Sequence, residues 1–259
     1  MKTHALYTFF AALTLSACIG ATEGELSSFE ARAAGPIDAH GGPLTFVNAR
    51  GFRISLEQAS VRVSALRFNE QARISSERES SCIKDSLYVA EVNAPLTIDL
   101  LDGDPIAFPV EGTGLHARAR MAEVWLSGNG DINADEDRQP IFTFRGQVTR
   151  ADGSHALSGT VTIGKNRKKP PLSEVQPGSN SICSERIVTG IPVDWIPRAD
   201  TRLLLRVDPR TIFADVDFDG LEPASDGSLA IPDDNSTPAS RATYDGLHRI
   251  RGVYSFSFE

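Results

Sequence analysis

Cysteine is scarce here, with three residues in a chain of 259. That leaves room for one disulfide at most, and no neighbouring histidine or third thiol completes a soft-metal site. Histidine is also sparse: five residues, none in H-x-H or H-E-x-x-H spacing, and no G-x-S-x-G elbow accompanies them. Basic residues are in the minority, 26 against 34 acidic, for a net charge of -8. A general nucleic-acid binder needs the opposite balance. Past the first 20 residues there is no long apolar run of the kind that spans a bilayer as a helix. What is plentiful is apolar content, 41% of the residues. That is enough for a full core and too much for a disordered chain.

The N-terminus carries an address. Lys2 supplies a positive start, and Ala5 to Leu15 forms an apolar stretch of signal-peptide length, too short for a permanent anchor. Leu15-Ser16-Ala17-Cys18 follows. This resembles the lipobox of bacterial lipoproteins. The resemblance implies cleavage before Cys18, a diacylglycerol thioether on its sulfur and acylation of the new amino terminus. Several acyl chains anchor stably where one is marginal. Ile19, not Asp, follows the cysteine, which by analogy with enteric bacteria implies the outer membrane. The expected organisation is a signal peptide over residues 1–17, a lipidated cysteine with flexible tether over 18–42, and one folded domain over 43–259. The tether expectation rests on the small and polar residues of 19–42; the alternative there is a short helix from Ser27 to Ala34, stopped by Gly35.

Once Cys18 is lipidated, Cys82 and Cys183 remain. An even pair in an exported chain suggests a disulfide between two polar loops. Closing a loop of about a hundred residues is worth roughly 4–5 kcal/mol by chain entropy, less any strain.

From Pro43 onward the apolar period is two. Phe52, Ile54 and Leu56 alternate with Arg53, Ser55 and Glu57; Leu96, Ile98 and Leu100 with Thr97 and Asp99; Phe142 and Phe144 with Thr143 and Arg145; Tyr254, Phe256 and Phe258 with Ser255 and Ser257. Val61 and Val63, Leu157 to Ile163, and Leu203 to Val207 repeat the pattern. Strands with one wet face pair antiparallel as a rule. The expected fold is therefore all-β: an antiparallel two-sheet sandwich, immunoglobulin-like or jelly-roll-like, of about ten strands with one disulfide. Asp152-Gly153 marks the clearest hairpin turn. Residues 222–247, rich in Pro and Asp, read as a loop.

Asp215-Val216-Asp217-Phe218-Asp219-Gly220 with Asp226 matches the calcium-loop spacing D-x-D-x-D-G-x5-E, with Asp in place of the last Glu. Alternate carboxylates converge on one hard cation in such loops. Against it stand the shorter last ligand, Glu222-Pro223 inside the loop and the lack of flanking helices. The competing reading is an acidic loop with Phe213 and Phe218 in the core. A second acidic loop, residues 129–137, lacks the glycine. Gly159 to Lys165 satisfies G-x4-G-K, but Asn166 stands where magnesium needs a hydroxyl, and the run reads as a strand. Lys165, Arg167, Lys168 and Lys169 form the one basic cluster, a lipid-headgroup contact or a solvated tip. Trp125 and Trp195 read as core residues; a ligand platform requires them exposed.

Thr97-Ile98-Asp99-Leu100-Leu101, Leu204-Leu205-Arg206-Val207-Asp208-Pro209, Phe213 and Val216-Asp217-Phe218 resemble runs in uncharacterised bacterial lipoproteins of β type. The leading expectation is a lipid-anchored envelope protein that binds a protein or small molecule, or acts structurally, without catalysis, cofactor or nucleic acid. The alternatives are a calcium-stabilised adhesion or assembly module and an envelope hydrolase of a type without a recognisable motif.

Overall fold

The computed structural model describes residues 26–71, 88–127, 138–166 and 183–259, excluding the side chains of 183 and 184. The strands are β1 (Leu26–Ala34), β2 (Leu44–Val47), β3 (Arg53–Asn69), β4 (Tyr88–Val92), β5 (Leu96–Asp99), β6 (Ile106–Ala107) and β7 (Gly112–Leu115). They continue as β8 (Ala119–Leu126), β9 (Pro140–Arg150), β10 (Gly153–Thr162), β11 (Ile187–Trp195), β12 (Arg202–Val207), β13 (Leu229–Ile231) and β14 (Tyr254–Phe258). Among the described residues four short helices are interspersed: α1 (Ile163–Asn166), α2 (Cys183–Arg186), α3 (Pro209–Ile212) and α4 (Pro238–Leu247).

β3 organises the sheet. Its apolar phase changes along its length: Ile54 and Leu56, then Ala59, Val61 and Val63, then Leu66 and Phe68 are all buried. Each odd step coincides with a register shift, at Leu56/Gln58 against β9 and at Val63/Ala65 against β8. The bulges turn the strand, so the apolar residues keep facing inward as the sheet curls. The first half of β3 pairs with β2, β5 and β9; the second half pairs with β4 and β8.

The result is one mixed, curled sheet of fourteen strands. It corrects the expectation of an antiparallel two-sheet sandwich. Most pairs are antiparallel, but β1 runs parallel to β12 and β10 parallel to β13. Alternation reports that a strand has one wet face; it says nothing about the direction of its neighbour. Parallel pairing needs only a long connection, and these pairs are joined by segments far longer than a crossover requires.

The tether expectation also needs correction. Residues 26–34 are neither tether nor helix but β1, bonded to β12 on one side and to β6 and β7 on the other. The turn that follows is pinned by distant groups. Arg206 Nη1 donates to the carbonyls of Gly35 and Gly103, both at 3.0 Å, and the Gly41 amide donates to Leu101 O at 2.8 Å. Arg210 clamps Asp38 with bonds of 2.7 and 3.0 Å, while its Nε and Nη2 hold Asp208. Small, polar composition was compatible with a tether; the arginines that fix the turn lie far downstream. Cys82, half of the expected disulfide, lies outside the described residues, as does the side chain of Cys183; no disulfide joins the described residues.

The region read as a loop, 222–247, contains β13 and α4. Thr237 caps α4 by accepting from the Ser240 amide at 3.0 Å, and Ser240 Oγ in turn accepts from the Thr237 amide at 3.1 Å. Pro238 sits at the first helical position, where its missing N–H is harmless.

The core is continuous along the curl. Between β1, β3, β11 and β14 it is aromatic: Trp195 meets Phe29 edge-on at 4.8 Å, Phe68 edge-on at 5.2 Å and Phe258 face-on at 4.8 Å. These contacts bridge β11 and β14, which have no strand ladder between them among the described residues. No described helix is long and apolar enough to cross a membrane.

Candidate functional site

The carboxylates of 215–226 do not gather. Asp215 is ion-paired with Arg249 Nη2. Asp217 Oδ1 accepts from the Asp219 amide at 3.0 Å, and Asp219 stands 3.7 Å from Arg150 Nε. Asp226 accepts from both the amide and the hydroxyl of Ser228, which hold its carboxyl below the usual carboxylate range. Among the described residues no three His, Cys, Asp or Glu side chains are placed to hold a metal ion. The aromatic residues of this loop explain its course: Phe213 and Phe218 are fully buried, so the acids between them are left at the surface by alternation. The second acidic loop lies outside the described residues except for its flanks, as do Cys18 and the basic residues 167–169.

Both tryptophans are core residues, Trp125 at 0% and Trp195 at 5% exposure, so neither forms an exposed ligand platform. In the G-x4-G-K run, Gly159 lies in β10 against Phe144; a Cβ there would come within 2.3 Å of that ring. The glycine serves packing and not a phosphate loop. Asn166, after it, bonds Asp233 Oδ1 through its amide nitrogen at 2.5 Å.

Two histidines are held at both ring nitrogens. His155 Nδ1 faces Gly227 O at 2.9 Å and Nε2 faces Asp152 Oδ1 at 3.0 Å. The Gly227 carbonyl first, then Asp152, raise the His155 pKa above its ordinary 6.5. His248 Nδ1 faces Tyr244 O at 2.9 Å and Nε2 faces Glu185 O at 2.7 Å. Both rings are thus held in place by oxygen partners on either side. Nothing among the described residues assembles a catalytic constellation.

Sequence reasoning missed a buried polar cluster on the face of β3, β8 and β11 turned away from the main core. Glu123 is fully buried and lies directly opposite Arg67 in the β3–β8 register. Its Oε1 accepts from Asn69 Nδ2 at 3.2 Å and Thr189 Oγ1 at 3.4 Å, and its Oε2 from Trp125 Nε1 at 3.1 Å. The Arg67 guanidinium lies between two rings, 4.4 Å from the centroid of Trp125 and 4.5 Å from that of Tyr88. Arg186 is buried beside Ile187, which packs on Trp125. The cluster ties β3, β8 and β11 together, with Arg67 Nε and Asn69 Oδ1 left buried without a hydrogen-bond partner among the described residues. Its signal in the sequence is an opposite-charge pair inside apolar runs, Leu66-Arg67-Phe68 and Ala122-Glu123-Val124.

A concave surface with mixed chemistry is a cleft of about 530 Å³ lined by Gly190, Pro192, His248, Arg249, Ile250 and Arg251. It lies where β11 and the segment entering β14 approach without pairing. Gly190 adopts φ 83° there, a left-handed conformation that glycine takes without strain. Its walls are held in place by the engaged His248 ring and the Arg249–Asp215 pair, while Ile250 is 41% exposed and Arg251 is at the surface.

No family model and no curated protein matches this chain. Among solved structures, the chain is similar to MbnP from Methylosinus trichosporium at 12% identity, over 90% of this chain and 99% of that one, with a TM-score of 0.40.

Proposed function

We propose that this chain is a lipid-anchored protein of the bacterial cell envelope, carried by the outer membrane, that acts by binding or structural contact and not by catalysis. The observation that carries the reading is Leu15-Ser16-Ala17-Cys18 in register behind a charged start and an apolar stretch. Only a thiolate at that position is nucleophilic enough to take the lipid. The dispersed acids of 215–226 favour this reading over a calcium-stabilised module. The cleft lined by Pro192, Ile250 and Arg251 is the place where a small acidic ligand would meet both an apolar side chain and a cation.

The test is expression in a Gram-negative host with an alkyne fatty acid. The wild-type chain incorporates the label, fractionates with outer membranes and shows a diacylglyceryl mass on Cys18. Cys18→Ala incorporates none and leaves the membrane fraction. An unmodified N-terminus on the wild-type chain, or its recovery from cytosol, overturns the reading.

A further inference from the structure

The fold shortens the chain available between lipid and domain, and this determines which end of the molecule meets the bilayer. β1 begins at Leu26 and is held by β7 from its first residue, Leu26 opposite Leu115. Residues 19–25 alone separate Cys18 from that ladder. Even fully extended they reach about 25–30 Å, roughly the width of a small domain.

The residues beside Leu26 can be read from the register. β1 starts level with the end of β7, and the β7–β8 turn follows directly. β11 ends with Trp195 opposite Ala119, at the start of β8. β12 begins at Arg202, level with Glu30, and β14 ends with Phe258 opposite Leu203. One end of the molecule therefore holds the start of β1, the β7–β8 turn, the β11–β12 turn and the C-terminal strand end. The other end is the β9–β10 turn at Ala151-Asp152, level with Arg53 at the far start of β3. β3 runs from one end to the other, at most about 55 Å at strand rise.

The Leu26 end carries exposed guanidiniums among acids, and the linker itself holds Glu23 and Glu25. His116, Arg118, Arg120, Arg198 and Arg202 are exposed there. Arg118 is bound to Asp194 through bonds of 2.6 and 2.5 Å, and Arg202 to Glu30 at 2.8 Å. Arg198 carries no ion pair among the described residues, and Arg120 makes no direct one but, behind Arg118, helps hold the Asp194 carboxyl below its usual range. Asp200 and Glu259 are exposed at the same end, so the attraction is local to these arginines and not a field of the whole face.

We propose that the β7–β8 and β11–β12 turns form the membrane-facing end, with Arg120 and Arg198 against the phosphates of anionic lipid and the β9–β10 turn pointing away from the bilayer. This rests on the lipid-anchor reading above. The occupant is the lipid surface itself, argued from the short reach of 19–25 and from the exposed guanidiniums of Arg198 and Arg120 beside the point where the chain leaves the domain.

The experiment uses the lipidated full chain in vesicles of phosphatidylethanolamine and phosphatidylglycerol containing a headgroup nitroxide lipid. A fluorescent non-canonical amino acid is placed at Ala199 or at Ala151, both exposed. Quenching at position 199 is expected to exceed that at 151 by about threefold or more, given the short reach of the linker. The pair Arg120→Glu and Arg198→Glu lowers the quenching at 199 on these vesicles and leaves it unchanged on vesicles of phosphatidylcholine alone. Equal quenching at both positions, or more at 151, overturns the orientation while the protein still floats with vesicles. Unchanged quenching in the charge-reversed chain overturns the arginine contact. A chain that neither floats nor carries the lipid mass on Cys18 overturns the anchor reading and this one with it.

Discussion

Asn48 allows the sharpest test of how the surface acids are held. It is 7% exposed, in the turn between β2 and β3, and its amide makes four hydrogen bonds. Nδ2 donates to Phe213 O at 3.0 Å and to Val216 O at 2.8 Å; Oδ1 accepts from the Arg50 amide at 3.1 Å and the Phe52 amide at 3.0 Å. Every valence of the side chain is used. Asn48→Ala removes all four bonds and strands the Phe52 amide and two buried carbonyls. At about 1 kcal/mol net per bond, with more for each buried group left unpaired, the loss is about 3–5 kcal/mol. In urea this moves the unfolding midpoint down by about 1–2 M. Asn48→Asp keeps the shape and both acceptor bonds but points an anionic oxygen at two carbonyls. Its native pKa is then raised above the ordinary carboxylate value, so the native state binds the proton more tightly than the unfolded chain. Stability of this variant rises as pH falls through that raised value, because the protonated acid can donate to one carbonyl. Denaturation curves of both variants at neutral and acidic pH make the check. An alanine variant within about 1 kcal/mol of wild type, or an aspartate variant indifferent to pH, refutes the reasoning.

Other positions give independent tests. Gly246 lies in α4, where Ala normally favours a helix by about 1 kcal/mol. Here a Cβ would sit 2.2 Å from Ile212 O, so Gly246→Ala lowers the thermal midpoint instead of raising it. Arg210→Lys loses the fork that holds Asp208 and Asp38 together; denaturant titration is expected to show about 1–2 kcal/mol of destabilisation, and hydrogen exchange to rise in residues 35–42. His155 has a raised pKa and Asp152, beside it, a lowered one, so the charged pair is favoured in both directions. The His155 contribution is complete below its ordinary 6.5 and disappears as pH rises through the raised value. Exchange protection at the Gly227 end of the loop therefore falls on the alkaline side in the wild-type chain, and His155→Gln flattens that profile.

How much of this was legible in the sequence depends on what each segment bonds to. The strands with strict alternation, β5, β9, β12 and β14, stand where the period of two places them, and Asp152-Gly153 stands at the β9–β10 turn. β1 was not legible. Its run Leu26-Ser27-Ser28-Phe29-Glu30-Ala31 stands in a segment of many small and polar residues, and it becomes a strand because β7 pairs its first half and β12, far along the chain, supplies a parallel edge to the second. Local composition cannot announce a partner so far away. α4 was hidden for a different reason: its cap uses serine where the familiar signature has glutamate or glutamine, and the prolines around it suggested a loop.

The candidate sites follow the same division. The motif at 215–226 has the residue types of a cation loop, but Phe213, Val216, Phe218 and Leu221 are all buried, and burial of those side chains dictates the path of the backbone. The acids then face whatever solvent or arginine lies outside: Arg249 for Asp215, Arg150 for Asp219. A linear pattern records spacing, whereas convergence depends on which residues the core claims first. Glu123 shows the converse. No motif marks it, yet burial in β8 between apolar neighbours forces it to find donors, and Asn69, Trp125 and Thr189 supply them from three strands. A charged residue inside an apolar strand run is therefore a stronger sign of a built polar site than a row of acids in a loop. The first has no solvent to satisfy it and must be met by the fold.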